Sequence, residues 1–195
     1  MKVGVLVKLA FDFDNVIADF ISTFIILAKA NYGAEIDYNN IKKYNFSIDD
    51  KLGLSSCQYK KLIGNICSSE QNTGLQNPME NMFDTLSTIY HYKQKNNPIV
   101  IISNRRHRKP VEAWLNHYLK DLRYSLFIRT GKEDIDKAGI LLALGYDGII
   151  EDHPDVCKTV FKSGLIPIVM SHPWNTGLGS EYKRIGNLKE VLEIF

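Results

Sequence analysis

Val5-Leu6-Val7-Lys8-Leu9-Ala10-Phe11-Asp12-Phe13-Asp14 is the stretch on which the reading of this chain turns. Its apolar residues run almost unbroken from Val5 to Phe13, the pattern of a buried strand, and the run ends among carboxylates. Beyond it, Val16 to Tyr32 carries apolar residues at helical spacing. Asp12 and Asp14 therefore sit where a strand ends and a helix is about to begin.

Working outward, the same alternation resumes after Pro98. Ile99-Val100-Ile101-Ile102 reads as a strand, Val111 to Leu119 as a helix, Ser125-Leu126-Phe127-Ile128 as a strand and Lys137 to Leu144 as a helix. Gly148-Ile149-Ile150 is a strand, Asp155 to Lys162 a helix, Ile166-Pro167-Ile168-Val169-Met170 a strand and Leu188 to Ile194 a last helix. Continuous apolar runs separated by helices predict an α/β fold whose parallel sheet is covered on both faces. The intervening residues 34–95 are richer in polar and turn-forming types, with helices predicted near Tyr38 to Lys43, Ser55 to Ser68 and Met79 to Lys95.

The chain of 195 residues has room for one substantial core plus a small inserted lid. Its 45% apolar and 24% charged residues exclude a disordered or fibrous protein. Lys and Arg number 24 against 22 Asp and Glu, and the single dense basic cluster is Arg105-Arg106-His107-Arg108-Lys109. No broad nucleic-acid surface follows from that balance; the cluster is either a solvated loop or a local contact for one phosphate or sugar. Cys57, Cys67 and Cys157 lack CxxC spacing and fit reduced thiols in a cytoplasmic protein. The opening residues Met1 to Lys8 are too short and too interrupted for a signal sequence, and the apolar run Phe20 to Ala28 is well short of the ~20 residues of a membrane span.

In open α/β sheets ligands bind at the carboxyl ends of strands. Asp12 and Asp14 fall at one such end, Ser103 and Asn104 at a second, and Glu151, Asp152 and His153 at a third. Carboxylates converging there repel one another unless a cation neutralises them, and hard oxygen donors without a Cys or His cluster favour Mg2+. A carboxylate can attack phosphorus and split one hard displacement into two easier ones, while a second carboxyl protonates the leaving oxygen and then activates water. The Ser103 hydroxyl, the Asn104 amide and a lysine would supply donors to the phosphoryl oxygens.

Asp12-Phe13-Asp14-Asn15-Val16, Ser103 after its apolar strand and Glu151-Asp152 after another, in that order, resemble motifs one, two and four of the haloacid dehalogenase (HAD) superfamily over essentially the whole chain. The resemblance implies a Rossmann-like core with Asp12 as nucleophile, Asp14 as general acid and base, and Ser103 on the transferring phosphate. It implies Mg2+ held by Asp12, the Asp14 backbone carbonyl and Asp152, with Glu151 beside it or acting through water. The third-motif lysine is Lys137, which opens the helix leading into the acidic strand end, with Lys132 as the alternative. Residues 1–15 and 96–195 then form the core, and 16–95 a helical cap inserted after the first motif. Asn15 stands where many members have Gly, and Glu151 where Asp is commoner.

More narrowly, Asp14 to Phe20 and His172-Pro173-Trp174-Asn175 resemble the 5'(3')-deoxyribonucleotidases. That likeness implies a (deoxy)nucleoside monophosphate as the small-molecule partner; a base would need an apolar or aromatic slot, for which Phe20, Phe24, Tyr44 and Phe46 are the candidates, with Arg105 in reach of a sugar or phosphate and Trp174 at the rim. Phe24 shares a helical face with Phe20, which suits a pocket or a core equally. A sugar phosphate or another small phosphomonoester is the competing substrate, and a catalytically silent binding protein of the same fold the competing class. The chain is expected to act as a monomer or a homodimer, away from membranes and nucleic-acid polymers.

Overall fold

The computed structural model describes residues 7–44, 52–93, 97–131 and 133–194. Six strands, β1 (Leu9–Phe11), β2 (Ile99–Ser103), β3 (Tyr124–Ile128), β4 (Gly148–Glu151), β5 (Ile166–Met170) and β6 (Lys183–Ile185), form one sheet in the order β3-β2-β1-β4-β5-β6. Every neighbouring pair is parallel. That order is the doubly wound one, with its reversal between β1 and β4.

Alternate residues of each strand serve different faces, which explains why the runs are apolar throughout. Leu9, Phe11, Ile99, Ile101 and Ile150 join one buried cluster, while Ala10, Val100, Ile102 and Ile149 join another on the opposite side. The second face is covered by α6 (Lys137–Leu144) and α7 (Pro154–Lys162), through Leu141 and Val160. The first is covered by α5 (Arg108–Tyr118), the helical segment from Met82 to Lys93 and a 3-10 turn over Leu188–Glu193.

A separate apolar cluster lies outside the sheet. It is built from α1 (Phe20–Tyr32), α2 (Ser56–Ser68) and the chain between them, with Phe24, Ile41, Leu62 and Ile66 at its centre and Trp174 joining from the core. Ser55 opens α2 with a capping box, its hydroxyl accepting from the Gln58 amide while Gln58 accepts from the Ser55 amide. The short α3 (Glu70–Gly74) follows and packs against α5. Although residues up to 95 read as one inserted helical region, α4 (Met82–Thr88) buries Met82 and Leu86 in the sheet's cluster.

Other elements depart from the expected pattern for local reasons. The helix read from Val16 begins at Phe20, because Asn15 takes a left-handed backbone (φ 57°) and residues 13–18 close into a tight loop in which the Ile17 and Ala18 amides donate to the Phe13 carbonyl. Asp19 then caps α1 by accepting from the Ser22 amide. The helix expected from Tyr38 to Lys43 is a 3-10 turn over Tyr38–Asn40. The helix read from Met79 to Lys95 begins at Met82, after the left-handed Asn81, and widens into a π-helical turn over Ile89–Lys93. Among the described residues no helix is long and apolar enough to cross a membrane.

Candidate active site

The reversal in strand order brings the acidic residues together. Asp12 directly follows β1, Glu151 ends β4, and the Asp12 amide donates to the Ile150 carbonyl at 2.9 Å, so the two strand ends are tied side by side. Lys137 is the first residue of α6, held by Asp136, whose carboxylate accepts from the Gly139 amide at 2.9 Å. From there the Lys137 ammonium donates to Asp12 Oδ1 at 2.5 Å and to Glu151 Oε2 at 2.7 Å. The other Glu151 oxygen, Oε1, accepts the amides of Asp152 (3.1 Å) and His153 (3.0 Å). Glu151 thereby acts as a bracket that orders the turn after β4 and positions the lysine.

Asp12, Lys137, Glu151 and Asp152 are all buried. Three carboxyl groups against one ammonium leave the centre short of positive charge, and the proton affinities register it. Burial pushes the Asp12 carboxyl from 3.8 up to about 7, with Lys137 opposing and Glu151 and Asp14 adding to the rise. Asp152 is pushed well above the ordinary value by burial, then by Glu151 and Asp12. Burial works against the Lys137 charge, but Asp12 and Glu151 outweigh it and raise its affinity for the proton.

The residues present fit a divalent cation. Carboxylate oxygens of Asp12, Glu151 and Asp152 lie within 4.8 Å of one another. Asp152 Oδ2 accepts from Asn15 Nδ2 at 3.1 Å, whereas Oδ1 is buried with no hydrogen-bond partner among the described residues. A buried carboxylate oxygen left bare is costly, and a hard cation met by oxygen donors is the natural complement.

Asp14 is held differently. Arg105, buried on the loop after β2, donates from Nε to Asp14 Oδ2 at 2.9 Å and from Nη2 to Oδ1 at 2.6 Å. Its Nη1 donates to Thr73 Oγ1 at 3.0 Å, and its guanidinium lies 4.9 Å from the Phe13 ring centre and 5.7 Å from that of Phe20. Burial opposes the Arg105 charge and Asp14 outweighs it, so the guanidinium stays charged.

Above these groups opens a cavity of about 760 Å³. Asp12, Asp14, Lys137 and Glu151 line its floor, Phe20, Tyr44, Tyr59 and Trp174 supply aromatic surface, and Lys60, Arg106 and Arg129 supply cations. Ser103 is fully buried and is not among the lining residues; its hydroxyl accepts from the Arg105 amide at 3.3 Å. Asn104 does line the cavity, its Oδ1 accepting from the Ile135 amide at 3.2 Å and leaving its amide hydrogens as donors. Phe24 lies in the apolar cluster of α1 and α2, stacked behind Phe20 with ring centres 6.4 Å apart. Phe46 and Lys132 lie outside the described residues.

The His172 to Asn175 segment supports the acidic loops from behind. His172 Nε2 lies 2.9 Å from the Asn15 carbonyl, which can only accept, so Nε2 carries the proton and Nδ1 accepts from the Tyr38 hydroxyl at 2.7 Å. Burial lowers the His172 proton affinity, in keeping with a neutral ring. Asn175 donates to the Asp152 carbonyl at 3.0 Å and the Met170 carbonyl at 2.8 Å. Residues the sequence did not single out include Thr73, an isolated Thr in a polar stretch, the aromatic Tyr59 and the cations Lys60 and Arg129. Only folding brings Lys60 and Arg129 to the cavity and Thr73 to Arg105.

The six-stranded parallel sheet and its flanking helices match the fold of solved HAD-superfamily structures. No protein-family model and no curated protein matches the sequence, but solved structures match along nearly the whole chain. A HAD-superfamily hydrolase of subfamily IA from Geobacter sulfurreducens is 12% identical with a TM-score of 0.64, covering 98% of this chain and 100% of that one. A predicted phosphoglycolate phosphatase from Haemophilus somnus is 12% identical with a TM-score of 0.62, covering 98% of this chain and 99% of that one. CbbY from Rhodobacter sphaeroides, in complex with phosphate, is 13% identical with a TM-score of 0.59, covering 96% of each chain; a CbbY mutant has been crystallised with xylulose-(1,5)-bisphosphate. These likenesses place the chain in the HAD fold.

Proposed function

We propose that this protein is a Mg2+-dependent hydrolase of small phosphomonoesters that works through an aspartyl-phosphate on Asp12. The observation that carries the reading is the buried constellation of Asp12, Lys137, Glu151 and Asp152, the first three lining the floor of the cavity, set at the reversal of strand order. Lys137 occupies one Asp12 oxygen and leaves the other for attack on phosphorus. The P–O bond to the leaving group breaks as the P–O bond to Asp12 forms, and Asp14 donates a proton to the departing oxygen. Water then attacks the phosphorus, Asp14 takes its proton, and the electron pair returns to Asp12 as inorganic phosphate leaves. Asp12, Asp152 and the Asp14 carbonyl would hold the cation, with Glu151 beside them, and the bound ion supplies the charge neutralisation that lets Asp12 be an anion. Asn104 and Lys137 line the cavity and would donate to the phosphoryl oxygens, whereas Ser103 lies buried behind the Arg105 amide.

For the substrate, the CbbY complexes with phosphate and a sugar bisphosphate favour a phosphorylated sugar or small organic acid. A nucleoside monophosphate is the second reading, supported by the aromatic wall of Phe20, Tyr44, Tyr59 and Trp174.

Phosphate release from sugar phosphates, phosphoglycolate and nucleoside 5'- and 3'-monophosphates, with Mg2+ and with chelator, tests both readings. Turnover that needs Mg2+ and falls by ~10³-fold or more in Asp12→Asn is the expected result. Well-folded protein inactive on the whole panel would make it a binding protein of this fold instead.

A further inference from the structure

On top of the phosphatase reading, we infer that Arg105 is a positioning residue for Asp14 and that it makes the placement of that carboxylate depend on the docked cap. Arg105 was a candidate for meeting the substrate directly. Its guanidinium is committed elsewhere: two of its nitrogens are forked onto the two Asp14 oxygens, and the third is on Thr73.

Thr73 belongs to α3, within the inserted helices, and is fully buried. Its hydroxyl oxygen accepts from Arg105 and its O–H donates a hydrogen bond to the Ile66 carbonyl at 2.7 Å, at the centre of the cap's apolar cluster. One hydrogen-bonded line therefore runs from the cap interior through a buried guanidinium to the carboxylate that must meet water. Phe13 and Phe20 lie beside the guanidinium, one following β1 and the other opening α1, so its plane is fixed by both regions.

The fork suits one half of the reaction. An arginine that grips both oxygens of a carboxylate fixes its orientation, and a fixed orientation is what lets Asp14 meet the attacking water in the hydrolytic step. In that step the water oxygen bonds to phosphorus, its proton passes to Asp14, and the bond from phosphorus to Asp12 breaks with its electron pair returning to Asp12. Each Asp14 oxygen keeps a lone pair outside the fork to receive the proton. Misplacement of a catalytic group by ~1 Å costs ~100-fold.

The test uses an aryl phosphate, whose good leaving group needs no proton, so kcat/KM reports transfer to Asp12 and kcat reports hydrolysis. For Arg105→Ala, kcat is expected to fall ~10–100-fold with KM falling in proportion, kcat/KM nearly constant, and phosphoenzyme accumulating in acid-quenched samples. Thr73→Val is nearly isosteric and touches only the cap end, and is expected to give the same pattern at ~2–10-fold, which guards against Arg105→Ala failing to fold. Arg105→Lys keeps the charge without the fork and is expected to restore less than half of the lost kcat. A fall in kcat/KM with KM rising would show that Arg105 binds substrate and would overturn the inference. So would loss of kcat in Arg105→Ala without phosphoenzyme accumulation. Wild-type inactivity on every phosphomonoester would instead overturn the phosphatase reading itself.

Discussion

Asp12 and Asp152 are carboxyl groups whose burial makes charge expensive, and that has a measurable consequence. The folded protein holds a proton on Asp12 up to about pH 7, whereas the unfolded chain releases it near 3.8. Stability from this source is therefore full below the unfolded value and lost as pH rises through about 7, with Asp152 adding in the same direction. Chelated protein should melt at a lower temperature at pH 8 than at pH 6. Mg2+ held by the charged carboxylates, as proposed, would raise the melting temperature more at pH 8, and Asp152→Asn should lose most of that rise. Equal Mg2+ shifts at the two pH values would count against a cation at these carboxylates. The acids were legible because they fall at strand ends, where chain order alone predicts convergence. Arg105 was legible as a pocket candidate but not as a partner of Asp14, since 91 residues separate them. Thr73 carried no signal, because its role exists only where the cap meets the core.

Elements with a continuous apolar run were legible almost to the residue, as β5 and α6 show, because burial on both faces or a capped apolar stripe leaves few alternatives. β6 was missed: it has three residues, two of them basic, lies at the sheet's edge and offers no run to read. The loop at 13–18 was misread as helix because Val16, Ile17 and Ala18 are apolar, although the left-handed Asn15 stops a helix there. Asn15 is worth more than its backbone angle. Its side chain donates to Asp152 Oδ2 and accepts from the Ile21 amide at 2.9 Å, tying the acidic loop to the start of α1. Asn15→Ala loses both bonds and strains the backbone, and should cost about 2–4 kcal/mol by chemical unfolding. Asn15→Gly keeps the angle and should cost less; equal losses would mean that the angle does not matter. In β4, a methyl group at Gly148 would stand 1.9 Å from the Ile166 carbonyl oxygen, across the register that sets Glu151 opposite Val169. Gly148→Ala should destabilise by about 3 kcal/mol or more and weaken the Mg2+ response with it, because strand and ligand shift together.

At the scale of the whole molecule, the parallel sheet and its covered faces followed from the alternation of strands and helices, whereas the division between sheet and cap did not. The helical stretch from 79 to 95 looks like the helices before it, yet Met82, Leu86, Ile89 and Tyr90 pack with the sheet. Only tertiary contact assigns it. The chain crosses back from the cap at Gln76, whose carbonyl accepts from Trp114 Nε1 at 2.8 Å on α5. The Gln76 side chain is fully buried, and neither of its polar atoms has a partner among the described residues. Two stranded polar atoms at the crossing point oppose docking of the cap, since opening it would let them meet water. Gln76→Leu keeps much of the volume and removes both atoms. Docking should tighten by about 1–2 kcal/mol, raising the melting temperature by roughly 2–8 °C and slowing hydrogen exchange at the amides of α2 and α3. If access to the cavity needs the cap to lift, turnover in the same variant should slow while the chemistry of the bound state is untouched. A lower melting temperature for Gln76→Leu would mean that the glutamine is satisfied in solution and that the crossing is not the weak point between the two clusters.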